Sequence, residues 1–204
     1  MTVSLPSLNR TLLIACVSFA TLTGCSSLND ETPPAATPAT STSASQTPPE
    51  MARNDAALPA DTAIEPAGDR TSWENCPYLD DEWVAQTNGQ KVTGVALDPR
   101  FEIPACVYWS YPEEPQLTVL VRHMPTEQDA IAVVDHYAPV DVTNPAELPG
   151  GWMGGRAGQG VVPEQPGAVF AVSKDDYAVV VTTNQDQSVK AETVAQEVIS
   201  NLGL

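Results

Sequence analysis

The composition of the chain changes near residue 70, and this change limits how much of the sequence can form a hydrophobic core. All four tryptophans and all five tyrosines lie after Arg70, whereas the stretch from Ser26 to Arg70 contains seven prolines and no aromatic ring. A stretch of that composition buries too little apolar surface to offset the entropy of ordering. The sequence therefore predicts a disordered, Pro/Ser/Thr/Ala-rich tether over residues 25–70 and a single globular domain over residues 71–204.

An apolar run of 11 residues, Leu12 to Leu22, precedes the tether. A membrane-spanning helix needs roughly 20 predominantly apolar residues, so this run is too short to span a bilayer. Its length and its position behind Arg10 are typical of a secretory signal peptide. An ordinary secretory signal of this kind would already export the chain.

The four residues Leu22-Thr23-Gly24-Cys25 at the end of this run match the processing box of bacterial lipoproteins. In proteins with that box, the thiol receives a diacylglycerol and the chain is cut before the cysteine. The sequence thus predicts a lipoprotein signal peptide over residues 1–24 and lipidation of Cys25. We expect a lipid anchor in the cell membrane, on its extracytoplasmic side. With an ordinary secretory signal instead, Cys25 would be free or paired.

Cys76 and Cys106 remain after Cys16 leaves with the signal peptide and Cys25 is acylated. Cysteines in an exported chain meet an oxidising compartment, so these two are predicted to form a disulfide. A redox or metal site would need a CxxC motif or clustered histidines. The sequence contains neither, and we assign it no metal ligand and no cofactor.

Acidic residues dominate the predicted domain, with 19 acidic and 6 basic residues in 71–204. Nucleic-acid binding requires a basic surface that releases counterions from phosphates. We therefore expect no nucleic-acid partner.

The hydrophobic periodicity predicts an α+β domain with the order α-β-β-β-α-β-β-β-α. Two or three helices pack on an antiparallel sheet of about six strands, in two layers. The first helix starts at the aspartates 80 and 81 and stops at Asn88-Gly89. Thr126 and Asp129 predict the cap of the second helix, and Gly203 ends the third. The strands are expected in "KVTGVALD", "PACVYWSY", "QLTVLVRH", "WMGGRAG", "GAVFAVSK" and "YAVVVTTN".

The block from "CPYLDDEWVAQTNGQ" to "ACVYWSYPEEPQLTVLVR" resembles a corynebacterial and mycobacterial envelope lipoprotein family known only as a domain of unknown function. The likeness covers most of residues 71–204. It implies an envelope location and a Cys76–Cys106 bridge, but it implies no activity.

Few residues in the sequence have the pattern of a functional site. His123 and His136 lie in separate elements without a serine motif nearby, so we interpret them as solvated or capping side chains and assign no catalytic residue. In "LPGGWMGGRAGQG", an exposed Trp152 beside Arg156 would suit a partner-binding surface. The competing interpretation is a glycine-rich loop in which Trp152 covers the core.

The sequence leaves three functions open. The first is a non-enzymatic binding or accessory module that acts on an envelope protein or ligand. The second is a hydrolase of envelope glycan or lipid, which needs two facing carboxylates in a cleft. The third is a small lipid or ligand carrier, which needs a large apolar cavity.

Overall fold

Seven antiparallel strands form one sheet in the computed structural model, which describes residues 55–204. The predicted signal peptide, Cys25 and the tether up to residue 54 lie outside the described residues. The sheet order is β1-β2-β3-β7-β6-β5-β4. The strands are β1 (Gly94–Asp98), β2 (Ala105–Trp109), β3 (Leu117–His123), β4 (Asn144–Leu148), β5 (Trp152–Ala157), β6 (Ala168–Lys174) and β7 (Tyr177–Thr183).

Three helices complete the architecture: α1 (Asp81–Asn88), α2 (Glu127–Tyr137) and α3 (Val189–Leu202). The predicted caps are present. Asp80 accepts a hydrogen bond from the backbone N–H of Trp83, and Thr126 accepts one from that of Asp129. Gly89 and Gly203 end α1 and α3 in the left-handed conformation, which glycine adopts without a steric penalty. The α+β class and the antiparallel sheet are therefore confirmed.

The predicted count of about six strands is wrong by one, because the sequence pattern does not predict β4. This strand contains Pro145, which has no N–H to donate to a neighbouring strand. Proline is tolerated where one side of a strand is unpaired, and β4 is the outer strand of the sheet. A proline at this position also limits pairing with another chain.

The predicted two-layer arrangement is wrong as well, because helices cover both faces of the sheet. Residues 119 and 181 on neighbouring strands β3 and β7 pack with α3 and α1 on one face, which we name the α3 face. Residues 120 and 180 pack with α2 on the other, the α2 face. Apolar runs such as "AVVVT" in β7 are continuous because both of their faces are buried.

Residues 55–70, which we name the strap, cross the part of the α2 face that α2 leaves uncovered. Their side chains alternate between exposed and half-buried from residue 57 to residue 70. Leu58, Ala60 and Ile64 point inward, and Ile64 packs on Ala96, Val107 and Trp109. The strap was predicted as part of the tether, but in the structure it is packed against the domain. Residues 72–74 then follow the free edge of β1, where the backbone N–H of Val95 donates to Ser72 O at 2.8 Å.

A buried ion pair fixes the start of the strap to β3. Arg122 Nε donates to Asp55 Oδ1 at 2.8 Å, and both side chains are fully buried. The same guanidinium donates to the carbonyls of Leu58 at 2.8 Å and Pro59 at 3.1 Å. Its Cζ atom lies over the ring of Phe101, 5.2 Å from the centroid. Burial raises the pKa of Asp55, against the opposing effect of the Arg122 charge.

The predicted Cys76–Cys106 disulfide is present, with Cα atoms 5.9 Å apart. It joins the segment before α1 to the second residue of β2, on the α3 face. No helix within residues 55–204 has the length and apolar character needed to cross a membrane.

Replacing Arg122 by alanine is expected to lower the free energy of unfolding by about 3–5 kcal/mol, because it leaves the buried Asp55 carboxylate and the carbonyl groups of Leu58 and Pro59 without their donor. Urea denaturation of the full chain measures this change. Arg156→Ala removes an exposed ion pair and serves as the matched control, with an expected loss below about 1 kcal/mol. Equal losses in the two variants would contradict a stabilising role for the buried pair.

Replacing both cysteines, Cys76→Ser with Cys106→Ser, is expected to cost about 3–4 kcal/mol, because the bridge closes a loop with a sequence separation of 30 residues. The comparison is the urea midpoint of the oxidised chain against that of the double variant. The reduced wild-type chain should match the variant. A stability unchanged by reduction would show that the bridge contributes nothing.

Candidate functional site

Trp152, one of the two residues predicted to contact a partner, is buried in the core. Its side chain is 1% exposed and lies on the α3 face with Leu148 and Phe170. The ammonium of Lys174 lies 5.8 Å from the centroid of its ring. The expectation that Trp152 is exposed is therefore wrong, and the competing interpretation, in which Trp152 covers the core, is correct about its burial.

Arg156, the other predicted contact residue, lies on the same strand and is half-exposed. Its Nη1 donates to Glu192 Oε2 at 3.0 Å, which links β5 to the first turn of α3. The guanidinium is therefore paired with an acidic side chain of the same domain. The structure does not bring Trp152 and Arg156 together as an exposed pair.

The exposed large apolar side chain of β5 is Met153, which points to the opposite face from Trp152 and is 62% exposed. It lies in an open groove of about 480 Å³ between α2 and the hairpin formed by β4 and β5. We name this opening the hairpin groove. Its apolar surface comes from Met153 together with Ile131 and Val134 of α2.

Glycines leave the hairpin side of the groove without projecting side chains. Gly150 and Gly151 form the β4–β5 turn with φ angles of 88° and 92°, a conformation that other residues rarely adopt. A Cβ atom at Gly151 would meet no atom within 4 Å, so the space beside this turn is open. A ligand can therefore approach the backbone at this turn.

Acidic side chains line the groove on two sides. Glu127 and Asp135 lie on α2, and Asp175 lies in the turn between β6 and β7. All three are exposed. Lys174 is the basic residue at the groove, and its ammonium lies near the ring of Trp152. The surroundings of Met153 therefore carry a net negative charge.

A second polar cluster surrounds His123 at the same end of the sheet. His123 Nδ1 lies 3.0 Å from Glu102 Oε2, and its Nε2 lies 3.2 Å from Asp176 Oδ2. The ring stacks on Tyr177 with centroids 4.5 Å apart. The backbone N–H of His123 donates to Asp55 Oδ2 at 3.2 Å, which connects this cluster to the strap.

The two carboxylates favour the charged form of His123. Partial burial opposes the charge, but the hydrogen bonds and charges of Glu102 and Asp176 outweigh it and raise the pKa of His123. Both ring nitrogens are occupied by these carboxylates. When the ring is protonated, each nitrogen can donate an N–H to one of these carboxylates.

Within residues 55–204, no group of three or more histidine, cysteine, aspartate or glutamate side chains is placed to hold a metal ion. His136 lies exposed on α2, apart from the His123 cluster. The groove residue that sequence reasoning missed is Met153. The sequence feature that could have identified it is the two-residue period of β5. This period places residues 152 and 153 on opposite faces, so a buried Trp152 implies that Met153 points to the other side.

His123 should make the stability of the chain depend on pH. Because its folded-state pKa is raised, its stabilising contribution is complete below the unfolded-state pKa, near 6.5, and is lost as the pH rises through the folded-state pKa. Between about pH 6 and pH 8, wild-type chain should therefore lose more free energy of unfolding than His123→Gln does. Urea titrations at both pH values measure this, with His136→Gln as a control that follows wild type. Identical losses in wild type and His123→Gln would contradict the assignment.

Comparison with known proteins gives a family but no activity. No curated protein matches the chain. A family described as "Domain of unknown function (DUF2020)" matches residues 58–204, a range that begins inside the strap rather than at residue 71. Because the match covers more than half of the sequence, the chain belongs to the DUF2020 family.

Proposed function

We propose that the chain is an exported lipoprotein whose domain acts as a non-enzymatic binding module. In this proposal, acylated Cys25 anchors the chain at the outer face of the cytoplasmic membrane. The residues after Cys25 connect the anchor to the domain at Asp55. The domain binds an envelope protein or ligand through the hairpin groove.

One observation carries the binding role: Met153 is 62% exposed beside a glycine turn and an apolar helix side. Methionine side chains are flexible and polarisable, and they suit surfaces that adapt to a partner. The neighbouring residues of β5 on the other face are buried or paired. The exposure of Met153 is therefore a local feature of the groove, consistent with a contact site.

The position of the strap supports an anchored arrangement. Asp55 is fixed beside the last residue of β3, and the groove opens at the same end of the sheet, where β6 turns into β7. In the proposed arrangement, the contact surface lies at the end of the domain where the chain from the anchor enters, beside Asp55.

A hydrolase is the second candidate, because carboxylates line two sides of the groove. A catalytic acid pair needs environments that shift the two pKa values apart, usually by sheltering one carboxyl from water. Glu127, Asp135 and Asp175 are all exposed, which favours binding over catalysis. A lipid carrier requires an enclosed apolar cavity, whereas this groove is open and its rim is charged.

We expect a photoreactive amino acid at position 153 to cross-link one defined partner in intact cells that produce the full-length chain. The groove would hold that partner within reach of the reactive group. The same substitution at position 189 serves as the control. Val189 is similarly exposed but lies at the start of α3, so this position should give no such product. Cys25→Ser should remove both the acyl group and the cross-link, and mass spectrometry of the purified chain measures acylation.

Three outcomes would overturn parts of this proposal. Equal cross-linking from positions 153 and 189 would remove the groove as the contact site. An unacylated N-terminus in the mature wild-type chain would remove the anchor. Turnover of an envelope glycan or lipid by the purified chain that is lost in Asp135→Asn would replace binding by hydrolysis.

A further inference from the structure

We infer that the hairpin groove binds a basic polypeptide segment that places an apolar side chain against Met153. This inference rests on the proposed function, since it names the class of partner for the same site. Three features of the groove support it: its charge, its apolar centre and its open turn.

The charge of the groove determines which sign of charge a partner must carry. Glu127 and Asp135 on α2 and Asp175 in the β6–β7 turn lie around the opening. Glu147 of β4 is exposed and is the cross-strand neighbour of Met153, so it extends the acidic surface beyond the groove. These carboxylates repel anionic headgroups and anionic glycans and attract lysine and arginine side chains.

The centre of the groove selects an apolar contact. Met153 and Ile131 offer apolar surface to solvent, and Val134 is buried below them. Burying such surface against an apolar side chain is favourable by roughly 25 cal/mol per Å². An acidic rim around an apolar centre complements a segment in which basic residues flank an apolar one.

The open glycine turn admits a polypeptide backbone. Gly150 and Gly151 carry no side chains that would block an approaching main chain, and no atom stands within 4 Å of where a Cβ of Gly151 would be. The volume of about 480 Å³ accommodates a few side chains rather than a folded domain. An extended or turn-like segment of a partner fits this opening.

The test uses the acylated full-length chain in nanodiscs, with carbon-13 methyl labels on its methionines. The probe is a blocked synthetic peptide, Lys-Lys-Leu-Lys-Lys, compared with a peptide carrying glycine in place of leucine and with one carrying glutamate in place of every lysine. We expect a saturable shift of the Met153 methyl resonance with the first peptide alone. Met124, which is 5% exposed, reports whether the fold is intact.

Matched charge variants separate the groove from the general acidity of the domain. Asp135→Lys with Asp175→Asn raises the net charge by the same amount as Glu113→Lys with Glu114→Gln, which lie in the β2–β3 turn at the other end of the sheet. Asparagine tolerates the positive φ of residue 175. The groove variant should weaken peptide binding by about tenfold and the distant variant by less than about twofold.

Equal weakening in both variants, or equal binding of the glycine or glutamate peptide, would overturn the inference. The two proposals can fail separately. If a partner cross-links at position 153 but its binding does not depend on the groove charges, the binding function stands and the inference of a basic polypeptide ligand is refuted. If the peptide binds specifically but no partner cross-links in cells, the inferred ligand preference of the groove stands and the proposed function is refuted.

Discussion

The buried pair of Arg122 and Asp55 is the interaction on which the arrangement of this domain depends. A sheet of seven strands is too wide for α2 to cover, so the apolar residues of β1 and β2 on that face need a second cover. The strap supplies it, and Arg122 holds the start of the strap through one carboxylate and the carbonyls of Leu58 and Pro59. A buried guanidinium requires such complete pairing, because an unpaired charge in the interior is strongly destabilising.

Much of the fold could be predicted from local sequence signals. The caps at Asp80 and Thr126, the terminator Gly203 and the Cys76–Cys106 pair depend on neighbouring residues or on simple cysteine arithmetic, and all are present in the structure. The strap and β4 could not be predicted in this way. The strap has too few apolar residues to indicate burial, and its order comes from distant groups such as Arg122. Strand β4 was not predicted because it contains Pro145. Proline argues against a central strand but is tolerated in an outer one.

The candidate site shows the same division between local and distant information. A glycine-rich segment with Trp152 and Arg156 was correctly identified as unusual, but the sequence could not tell which face of β5 was covered. Trp152 is buried because α3 and its neighbours cover one face of β5. On the other face, α2 leaves an open groove beside Met153. The functional hypothesis therefore moves from an aromatic contact to a groove with an apolar centre and an acidic rim. The strap starts at Asp55, at the same end of the sheet as that groove.

The most direct test of this arrangement is hydrogen exchange of the strap in the full-length chain. The backbone N–H groups of Glu65 and Ala67 donate to Asp98 Oδ2 at 2.7 Å and to Leu97 O at 2.8 Å. If the strap is an integral part of the domain, these amides will exchange slowly, on the timescale of the amides in β1, and will lose protection in Arg122→Ala. Exchange at the rate of an unstructured peptide in the wild-type chain would contradict the account, because residues 55–70 would then not be packed against the sheet.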